Sequence, residues 1–489
     1  MLTRRGRLAA AGFGFCAAVL PAAAGAAESA SSLDLAGRWE GLAALALFVL
    51  AYVLVATEEF TELRKSKPVV LAAGLIWGLI ALAYALSGVG GHVVEHALAR
   101  TLEEFAELFL FLLVAMTYVN AMTERNVFEA LRAWLAHRGF SYRQLFWITG
   151  VLAFFISPFL DNLTTALVLS AVVLAVGAES PRFIGLACIN IVVAANAGGA
   201  YSPFGDITTL MVWQAGTVTF DQFFDLFIPS AVNFLVPALL MHFAVPGVSP
   251  PPAAEGGHLK RGAVRVILLF GATVLTAVSF HRWLNLPPFL GMMMGLGYLQ
   301  FFMFYLMKTD LLWERRLARY RDADQVPPPH LERRADHIEG AETFNIFGHV
   351  ASAEWDTLLF FYGVIVCVGG LGFIGYLALA SHVMYLQWGA TAANVVVGVL
   401  SAIVDNIPIM AAVIHMNPAM SHGQWLLVTL TAGVGGSLLS IGSAAGVALM
   451  GQARGLYTFM THLKWTPAIA LGYAASIWVH LWWNGAMFH

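Results

Sequence analysis

The sequence predicts an all-α polytopic membrane protein made of inverted repeats, each with a re-entrant hairpin and a broken transmembrane helix. The first observation is composition: 59% of the 489 residues are hydrophobic and 11% are charged, whereas soluble domains carry about 25% charged residues. The second is a series of apolar runs of about 20 residues, long enough to cross a hydrocarbon core about 30 Å thick. The third is a polar pattern in two parts that interrupts these runs and occurs twice.

Each copy of this pattern begins with an Asp-Asn pair inside an apolar run, in SPFLDNLTTAL (157–167) and in SAIVDNIPIMA (401–411). A Gly-rich polar segment follows each pair, NAGGAYSPFGDITT (196–209) and TAGVGGSLLSIGSAAG (431–446). An ionisable residue at the centre of a membrane helix costs about 2.5–3.5 kcal/mol, so it usually faces the protein interior and marks an ion or substrate path. Two copies of this pattern predict a transport core with two halves.

Composition also limits the classes of partner. The net charge of −3 gives no support for a nucleic-acid partner. Cys16, Cys188 and Cys367 are far apart in apolar segments, so they indicate neither a disulfide framework nor a zinc site. Pro-rich soluble sequence is confined to short loops. We therefore expect small ions and membrane lipid as partners, no resident cofactor and no separate catalytic domain.

The chain begins with a predicted signal peptide at residues 1–27. Arg4, Arg5 and Arg7 precede an apolar stretch and a group of small residues suited to cleavage. An uncleaved first helix is the alternative. The first transmembrane half then covers residues 28–245, with spans predicted at 39–56, 68–86, 102–122 and 226–245 and a polar connection at 88–100.

Two irregular elements complete the first half. Residues 145–178 are too long for one span and too short for two, which predicts a re-entrant hairpin with its tip near 158–162. Non-helical backbone at membrane depth is tolerated where protein or a water-filled cavity surrounds it. Residues 183–216 are a span interrupted by the segment at 196–209, which predicts a broken helix.

The second half, residues 246–489, repeats this arrangement. It contains a predicted hairpin at 391–417, with its tip at 404–408, and a predicted broken helix at 426–452. Simple spans are predicted at 266–280, 287–307, 354–380 and 465–483, and a cytoplasmic loop with some helix at 308–350.

The distribution of Lys and Arg gives the orientation. If each hairpin returns to the side from which it entered, almost all basic residues after the signal segment fall in loops on one side, and only Arg38, Arg100 and Arg282 fall on the other. Full crossings would destroy this bias. The charges therefore favour re-entrance, with the first hairpin open to the cytoplasm and the second to the outside, so that both tips meet near the midplane.

Asp161 and Asp405, at the hairpin tips, are the central candidates for ion binding. Na⁺ is a hard cation that prefers oxygen ligands, by extension of the rule for calcium and magnesium, and an Asp-Asn tip facing a Gly-rich break offers carboxylate, amide, hydroxyl and backbone oxygens. The same carboxylate can take up H⁺ when Na⁺ is absent, so competition at one site would give antiport. The alternative is that each aspartate only caps a half-helix.

The two Gly-rich segments differ in charge. In the first, Asp206, Thr208 and Thr209 stand where the second half-helix should begin, and the positive end of the helix dipole favours a carboxylate there. The second segment has neutral hydroxyl groups instead, from Ser437, Ser440 and Ser443. The difference predicts that the first half carries more of the charge in the site. A cap in the first segment and close helix packing in the second are the alternatives.

Several long motifs occur in order: ELFLFLLVAMTYVNAM, RGFSYRQLFWITG, DNLTTAL, NAGGAYSPFGDITTLMVWQAG and VDNIP. With these motifs the chain resembles the NhaD-type sodium/proton antiporters of the ion transporter superfamily, from about residue 91 to the last span. The resemblance implies electrogenic exchange of Na⁺ or Li⁺ for H⁺ across a bacterial inner membrane or an organelle envelope, for sodium extrusion and pH homeostasis. It also implies a homodimer whose protomers have a scaffold part and a mobile transport part.

The resemblance implies a set of functional positions, the intramembrane aspartates with neighbouring Asn, Thr and Ser. Matched motif by motif, the cation- and proton-binding set is Asp161, Asn162, Thr164, Asn196, Asp206, Thr208, Thr209, Asp356, Thr357, Ser401, Asp405, Asn406, Ser437, Ser440 and Ser443. Within this set, the Na⁺ ligands are Asp161, Asn162, Asp405 and Asn406. The alternative for Asp356 and Thr357 is a solvated helix start.

Two other functions remain as alternatives. Anion transport, of a dicarboxylate or arsenite, occurs in the same superfamily, but anion sites should have Ser-Asn-Thr tips with neutral or basic groups. Here both tips contain Asp, and neither polar pattern contains Lys or Arg. An intramembrane aspartyl protease would use Asp161 and Asp405 as a dyad, but its Gly-x-Gly-Asp and Tyr-Asp contexts are missing from this sequence. We therefore expect a transporter and no enzyme.

Overall fold

The computed structural model describes residues 33, 35–56, 63–88, 91–177, 179–249, 259–322 and 355–488. The helices up to residue 322 are α1 (Trp39–Ala56), α2 (Ser66–Leu86), α3 (His92–Glu124), α4 (Val127–His137), α5 (Tyr142–Ile156), α6 (Asn162–Val176), α7 (Pro181–Gly199), α8 (Ile207–Gln214), α9 (Phe227–His242), α10 (Ala263–Leu284) and α11 (Pro288–Asp322). Those after residue 355 are α12 (Trp355–Ile374), α13 (Tyr376–Ser381), α14 (Ala390–Leu400), α15 (Asn406–Met416), α16 (His422–Gly435), α17 (Ala444–Gln452), α18 (Phe459–Leu463) and α19 (Thr466–Trp483).

These helices make an integral membrane protein. Seven of them, among the described residues, are long and apolar enough to cross a membrane, and no strand occurs in the described ranges. Only 28% of the apolar window of α10 is buried, whereas 94% of that of α7 is buried. Because apolar side chains can face lipid, the exposed windows suit a bilayer. The all-α polytopic fold predicted from the sequence is confirmed.

The chain divides into two compact units. Unit 1 comprises Met1–Phe105 and Leu359–Ala380, and in its described residues α1 packs against α2. The indole N–H of Trp77 donates to the carbonyl oxygen of Val366 at 2.8 Å, and the hydroxyl of Tyr376 donates to the carbonyl oxygen of Ala36 at 2.9 Å. Such bonds satisfy polar groups that lipid cannot.

Unit 2 comprises Ala106–Leu358 and Ser381–His489, and α5 and α6 form its first helix pair. Ser141 begins α5 with a capping box shared with Gln144. Residues 157–161 interrupt the helical backbone, and Asp161 begins α6 by accepting a hydrogen bond from the backbone N–H of Thr164 at 2.9 Å. The backbone is therefore non-helical at the tip predicted from the sequence.

The interrupted helix α7/α8 packs against this pair through glycines. A Cβ at Gly198 would collide with the carbonyl oxygen of Phe154, and a Cβ at Gly199 would collide with the side chain of Asn162. Glycine at these two positions therefore lets the helix end approach the pair closely. Every residue of α7 from Phe183 onward is buried, so the polar groups near its end are enclosed by protein.

The later part of unit 2 has the same elements. Residues 401–405 separate α14 from α15, and residues 436–443 separate α16 from α17. A Cβ at Gly435 would collide with the carbonyl oxygen of Gly398, just as one at Gly198 would with that of Phe154. Helices α7 and α16 contact each other, and α16 is buried from Gly423 onward. The two interrupted helices thus form the core of unit 2.

Several element boundaries differ from the sequence-based expectation. Helix α3 already begins at His92, within the expected polar connection, where the charged side chains lie in solvent and form pairs one turn apart, such as Arg100 with Glu104. Helix α11 continues to Asp322, into the expected loop, because residues 308–322 are mostly good helix formers. Helix α16 begins at His422 rather than at residue 426.

The predicted signal peptide at 1–27 and most of the predicted loop, residues 323–350, lie outside the described residues. The division into halves at residue 245 and the inverted orientation of the two repeats stay predictions.

Candidate functional site

Asp206 is the residue on which the polar side chains of the first break converge. It begins α8: its Oδ1 accepts a hydrogen bond from the backbone N–H of Thr208 at 3.2 Å, and its own N–H donates to the hydroxyl of Thr209 at 3.3 Å. This reciprocal arrangement is a capping box. The Thr209 hydroxyl lies 2.8 Å from the carbonyl oxygen of Ser202, an acceptor on the other side of the break.

The second carboxylate oxygen of Asp206 accepts two amide hydrogen bonds. The Nδ2 group of Asn162 donates at 2.7 Å and that of Asn406 at 2.9 Å. The first amide stands at the start of α6 and the second at the start of α15, so the tips of both helix pairs meet at one oxygen atom. All three side chains are buried, with 7% of Asp206, 8% of Asn162 and 4% of Asn406 exposed.

The hydrogen-bond donors that contact the carboxylate of Asp206 are neutral groups. None of the ion pairs among the described residues involves Asp206, and its hydrogen bonds come from amide and backbone N–H groups. A buried charge without a charged partner is costly. The arrangement therefore suits a carboxylate that binds a cation or a proton.

One serine stands at the corresponding position before each tip, Ser157 at the first and Ser401 at the second. The Ser157 hydroxyl lies 2.8 Å from Oδ1 of Asn162 and 2.7 Å from the carbonyl oxygen of Ala195. The Ser401 hydroxyl donates to the carbonyl oxygen of Ala432 at 2.7 Å. Because Ser157 binds the oxygen of the Asn162 amide, the NH₂ group of that amide is turned toward Asp206. Ser157 was not among the predicted site residues, although it precedes its Asp-Asn pair by the same spacing as Ser401.

Asp161 and Asp405 are half-buried and begin their helices. Asp161 accepts hydrogen bonds from the backbone N–H of Thr164 at 2.9 Å and from its hydroxyl at 2.7 Å. Asp405 accepts from the backbone N–H of Ile407 at 3.4 Å and lies within electrostatic range of Asp206. Each aspartate therefore caps its own helix, which was the alternative to ion binding in the sequence analysis. Each carboxylate also precedes the asparagine that binds Asp206.

The second break is organised around Asn196. The Nδ2 group of this buried side chain, on α7, donates to the hydroxyl oxygens of Ser437 at 2.8 Å and Ser443 at 3.1 Å. Ser443 begins α17 by accepting from the backbone N–H of Gly446, as Asp206 begins α8. Residues of the two polar patterns, 196–209 and 431–446, are therefore in contact.

Three buried oxygens around the breaks have no hydrogen-bond partner among the described residues: Oδ1 of Asn196, Oγ1 of Thr208 and Oγ of Ser440. Buried polar atoms are normally satisfied, so those that are not call for a specific explanation such as an ion or water. Amide and hydroxyl oxygens are ligands that suit a hard cation. A transition-metal site is not indicated, since no group of three or more His, Cys, Asp or Glu side chains gathers in the described ranges.

Asp356 and Thr357 lie in the first turn of α12 and are half-buried. Their role in the site stays a prediction. Sequence reasoning also missed His462, which is buried and binds the carbonyl oxygen of Ser437 at 2.8 Å. No pattern in the sequence relates it to Ser437, because the two residues approach only through the tertiary fold.

Comparison with known proteins identifies the family of this chain. A family profile described as citrate transporter matches residues 52–433. The Na(+)/H(+) antiporter NhaD of Alkalimonas amylolytica is 58% identical over 465 residues, which cover 95% of each chain. The protein of the same name from Vibrio cholerae is 58% identical over 457 residues, 94% of each chain. Sodium/proton antiporter 1 of Arabidopsis thaliana is 32% identical over 89% of this chain and 71% of its own. The chain therefore belongs to the NhaD family of antiporters, within the wider citrate transporter family.

Proposed function

We propose that this protein is a secondary-active Na⁺(Li⁺)/H⁺ antiporter of the bacterial inner membrane that serves sodium extrusion and pH homeostasis. The relatives named as antiporters match nearly the whole chain. The transported species are Na⁺ or Li⁺ and H⁺, and the cycle has no need of a resident cofactor.

One observation carries the proposal: a buried carboxylate oxygen of Asp206 accepts amide hydrogen bonds from Asn162 and Asn406, which stand at the two helix-pair tips. Amides cannot neutralise the charge, and burial makes an unneutralised carboxylate costly. The site is therefore more stable when a proton or a Na⁺ ion compensates the charge. Because either ion can do so and both need the same oxygens, binding of one displaces the other.

We assign the ion-binding roles as follows. Asp206 is the shared carboxylate, and the unpartnered hydroxyl of Thr208 beside it is a neutral ligand. Asp161 with Asn162 and Asp405 with Asn406 provide Na⁺ ligands at the two tips. Thr164 holds the carboxylate of Asp161 and Thr209 holds Asp206, while Ser401 holds the second tip on α16 through the carbonyl oxygen of Ala432. Asn196 with Ser437, Ser440 and Ser443 supplies neutral oxygens in the second break. Asp356 and Thr357 would bind the ion or the proton on its way to the site.

Alternating access is the mechanism that this arrangement supports. Inverted repeats with interrupted helices meeting at one site are typical of transporters in which one part moves against another. Ser157 and Ser401 each bind a backbone carbonyl oxygen of the interrupted helix that follows them, and a Cβ at Gly198 or at Gly435 would collide with a carbonyl oxygen of a neighbouring helix. These corresponding contacts support a repeat. Movement of either tip would break one amide bond to Asp206 and retain the other, so this carboxylate could be reached from one side at a time.

We also propose that the antiporter is a homodimer, as the resemblance to the superfamily implies. Native mass spectrometry of the detergent-purified protein would test this, with a mass of two chains expected. A single-chain mass at all protein concentrations would contradict it.

The function is tested by proton flux in proteoliposomes that contain a fluorescent pH reporter. Na⁺ and Li⁺ should drive proton movement, whereas K⁺, succinate and citrate serve as comparisons. Asp206→Asn, Asp161→Asn and Asp405→Asn should each abolish the Na⁺ response while the protein still inserts. Asp221→Asn is the matched control, because Asp221 is exposed and its carboxylate pairs with Arg282; it should transport normally.

One outcome would contradict the function and another the site assignment. A succinate or citrate response without a cation response would assign the chain to anion transport. Normal Na⁺ exchange in Asp206→Asn would show that this carboxylate is not part of the site, although the protein would still be an antiporter.

A further inference from the structure

A buried histidine joins a short helix to the second break. His462 lies in α18 and is 0% exposed. Its Nε2 is 2.8 Å from the carbonyl oxygen of Ser437, and its Nδ1 is 2.8 Å from the hydroxyl of Tyr457. Since a carbonyl oxygen only accepts hydrogen bonds, Nε2 carries the proton and donates it. The Tyr457 hydroxyl then donates to Nδ1, which leaves the ring neutral, as burial favours.

The carbonyl group that His462 binds lies just beyond the end of α16. The last carbonyl groups of a helix have no partner within the helix and need one from elsewhere. Helix α16 ends at Gly435, and Ser437 is the second residue of the break. The next carbonyl oxygen, that of Leu438, accepts from the hydroxyl of Thr466 at 2.8 Å. Two side chains from residues 462–466 thus hold consecutive carbonyl groups of the break.

Ser437 also faces the candidate site. Its hydroxyl oxygen accepts from Asn196 at 2.8 Å, while its carbonyl oxygen accepts from His462. The segment before α18 packs on α7, the helix that carries Asn196: a Cβ at Gly185 would lie 3.2 Å from the carbonyl oxygen of Leu456. The imidazole ring therefore fixes the backbone of Ser437 and, through its hydroxyl, the orientation of the Asn196 amide.

We propose that His462, held in one tautomer by Tyr457, is a positioning residue that sets the apparent Na⁺ affinity of the second break. This inference rests on the proposed Na⁺/H⁺ exchange. By binding the carbonyl oxygen of Ser437, His462 holds the backbone of the break. The Ser437 hydroxyl can then keep the NH₂ group of Asn196 in place, so that the amide oxygen of Asn196, which has no hydrogen-bond partner among the described residues, is available to the ion.

The test compares two buried histidines with the same chemistry. His480, in α19, is also 0% exposed; its Nε2 is 3.0 Å from the carbonyl oxygen of Gly423, at the opposite end of α16, and its Nδ1 is 2.9 Å from the amide nitrogen of Asn484. His462→Leu and His480→Leu therefore each remove one ring that donates to a backbone carbonyl of the α16 region. His462→Gln restores a donor, and Tyr457→Phe keeps the ring without its partner.

Two quantities are measured for each variant: the Na⁺ concentration that gives half-maximal proton flux, and the Na⁺-induced rise in melting temperature of the purified protein. His462→Leu should raise the half-maximal concentration about tenfold, as expected for loss of one buried hydrogen bond. Tyr457→Phe should raise it about threefold, and His462→Gln should return it to within about threefold of wild type. His480→Leu should leave it unchanged even if the protein melts at a lower temperature.

The outcomes separate the inference from the function on which it rests. Wild-type protein without any Na⁺-driven flux would refute the exchange itself. Wild-type exchange with an unchanged half-maximal concentration in His462→Leu and Tyr457→Phe would overturn the role of His462. Equal changes in His462→Leu and His480→Leu would also overturn it, because they would show a general packing effect. If His462→Leu does not fold, Tyr457→Phe and His462→Gln decide the question.

Discussion

The two helix breaks share a backbone plan and differ in chemistry. Each break follows a glycine at which a Cβ would collide with a carbonyl oxygen of a neighbouring helix, and each ends at a residue whose side chain caps the next half-helix. In the first break the cap is Asp206, which accepts two amide bonds. In the second break the cap is Ser443, which accepts one bond from Asn196. The same fold therefore holds a charged group in one half and a neutral group in the other.

We propose that this difference lets the two breaks carry one buried charge instead of two. Two buried carboxylates close together would repel each other and retain protons. With a serine at the second cap, the break keeps its geometry without a further charge. The amides of Asn162 and Asn406 both point to the half that has the acid, although one of them belongs to the other half.

Exchanging the two caps should give the largest effect. Asp206→Ser should lower Na⁺-driven proton flux by about 100-fold or more, because it removes two hydrogen bonds to a charged group, each worth about 1.5–3 kcal/mol. Adding Ser443→Asp should not restore it, since both tip amides converge on position 206. Flux in proteoliposomes measures both. Recovery in the double variant would show that the two breaks are interchangeable.

Acidification should have the next largest effect. As pH falls, the carboxylates of the site take up protons and Na⁺ must displace them, so the Na⁺ concentration for half-maximal flux should rise. The rise is at most about tenfold per pH unit for each proton displaced. Measuring flux against Na⁺ at several pH values gives this slope. A half-maximal concentration independent of pH would argue against competition at shared carboxylates.

Removal of one tip amide should have an intermediate effect. Asn406→Ala deletes one of the two bonds to Asp206 and should raise the half-maximal Na⁺ concentration about tenfold. Asn162→Ala should have at least this effect, because it also removes the oxygen that Ser157 binds. Direct comparison of the two variants shows whether the halves contribute equally. If Asn406→Ala leaves the half-maximal Na⁺ concentration unchanged while Asn162→Ala raises it, only the first tip contributes to ion binding at Asp206.

The smallest effect is expected at the neutral cap. Ser443→Ala removes a hydrogen bond from Asn196 at 3.1 Å, but the bond to Ser437 at 2.8 Å remains. The half-maximal Na⁺ concentration should change by about threefold or less. A loss as large as that of Asp206→Ser would show that the second break carries as much of the ion binding as the first.

Local sequence was enough to predict much of the fold. Long apolar runs can be read from composition because the bilayer demands them, and seven such helices are present in the described ranges. Asp-Asn pairs inside apolar runs and glycines in the following helix also identified the places where the helices are interrupted. The helical start of α3, which lies in the expected polar connection, was missed because hydropathy does not show whether a polar segment is helical.

The amino-acid sequence by itself thus determined the membrane class, the two polar patterns and the residue types available for ions, since these depend on hydrophobicity and on side-chain chemistry. Only the tertiary structure decided which groups meet. It brings Asn162 and Asn406 to one oxygen of Asp206. It also places His462 on a carbonyl of the second break. The physical reason is that hydrogen bonds between distant segments depend on how helices pack, and packing has no local signature in the chain.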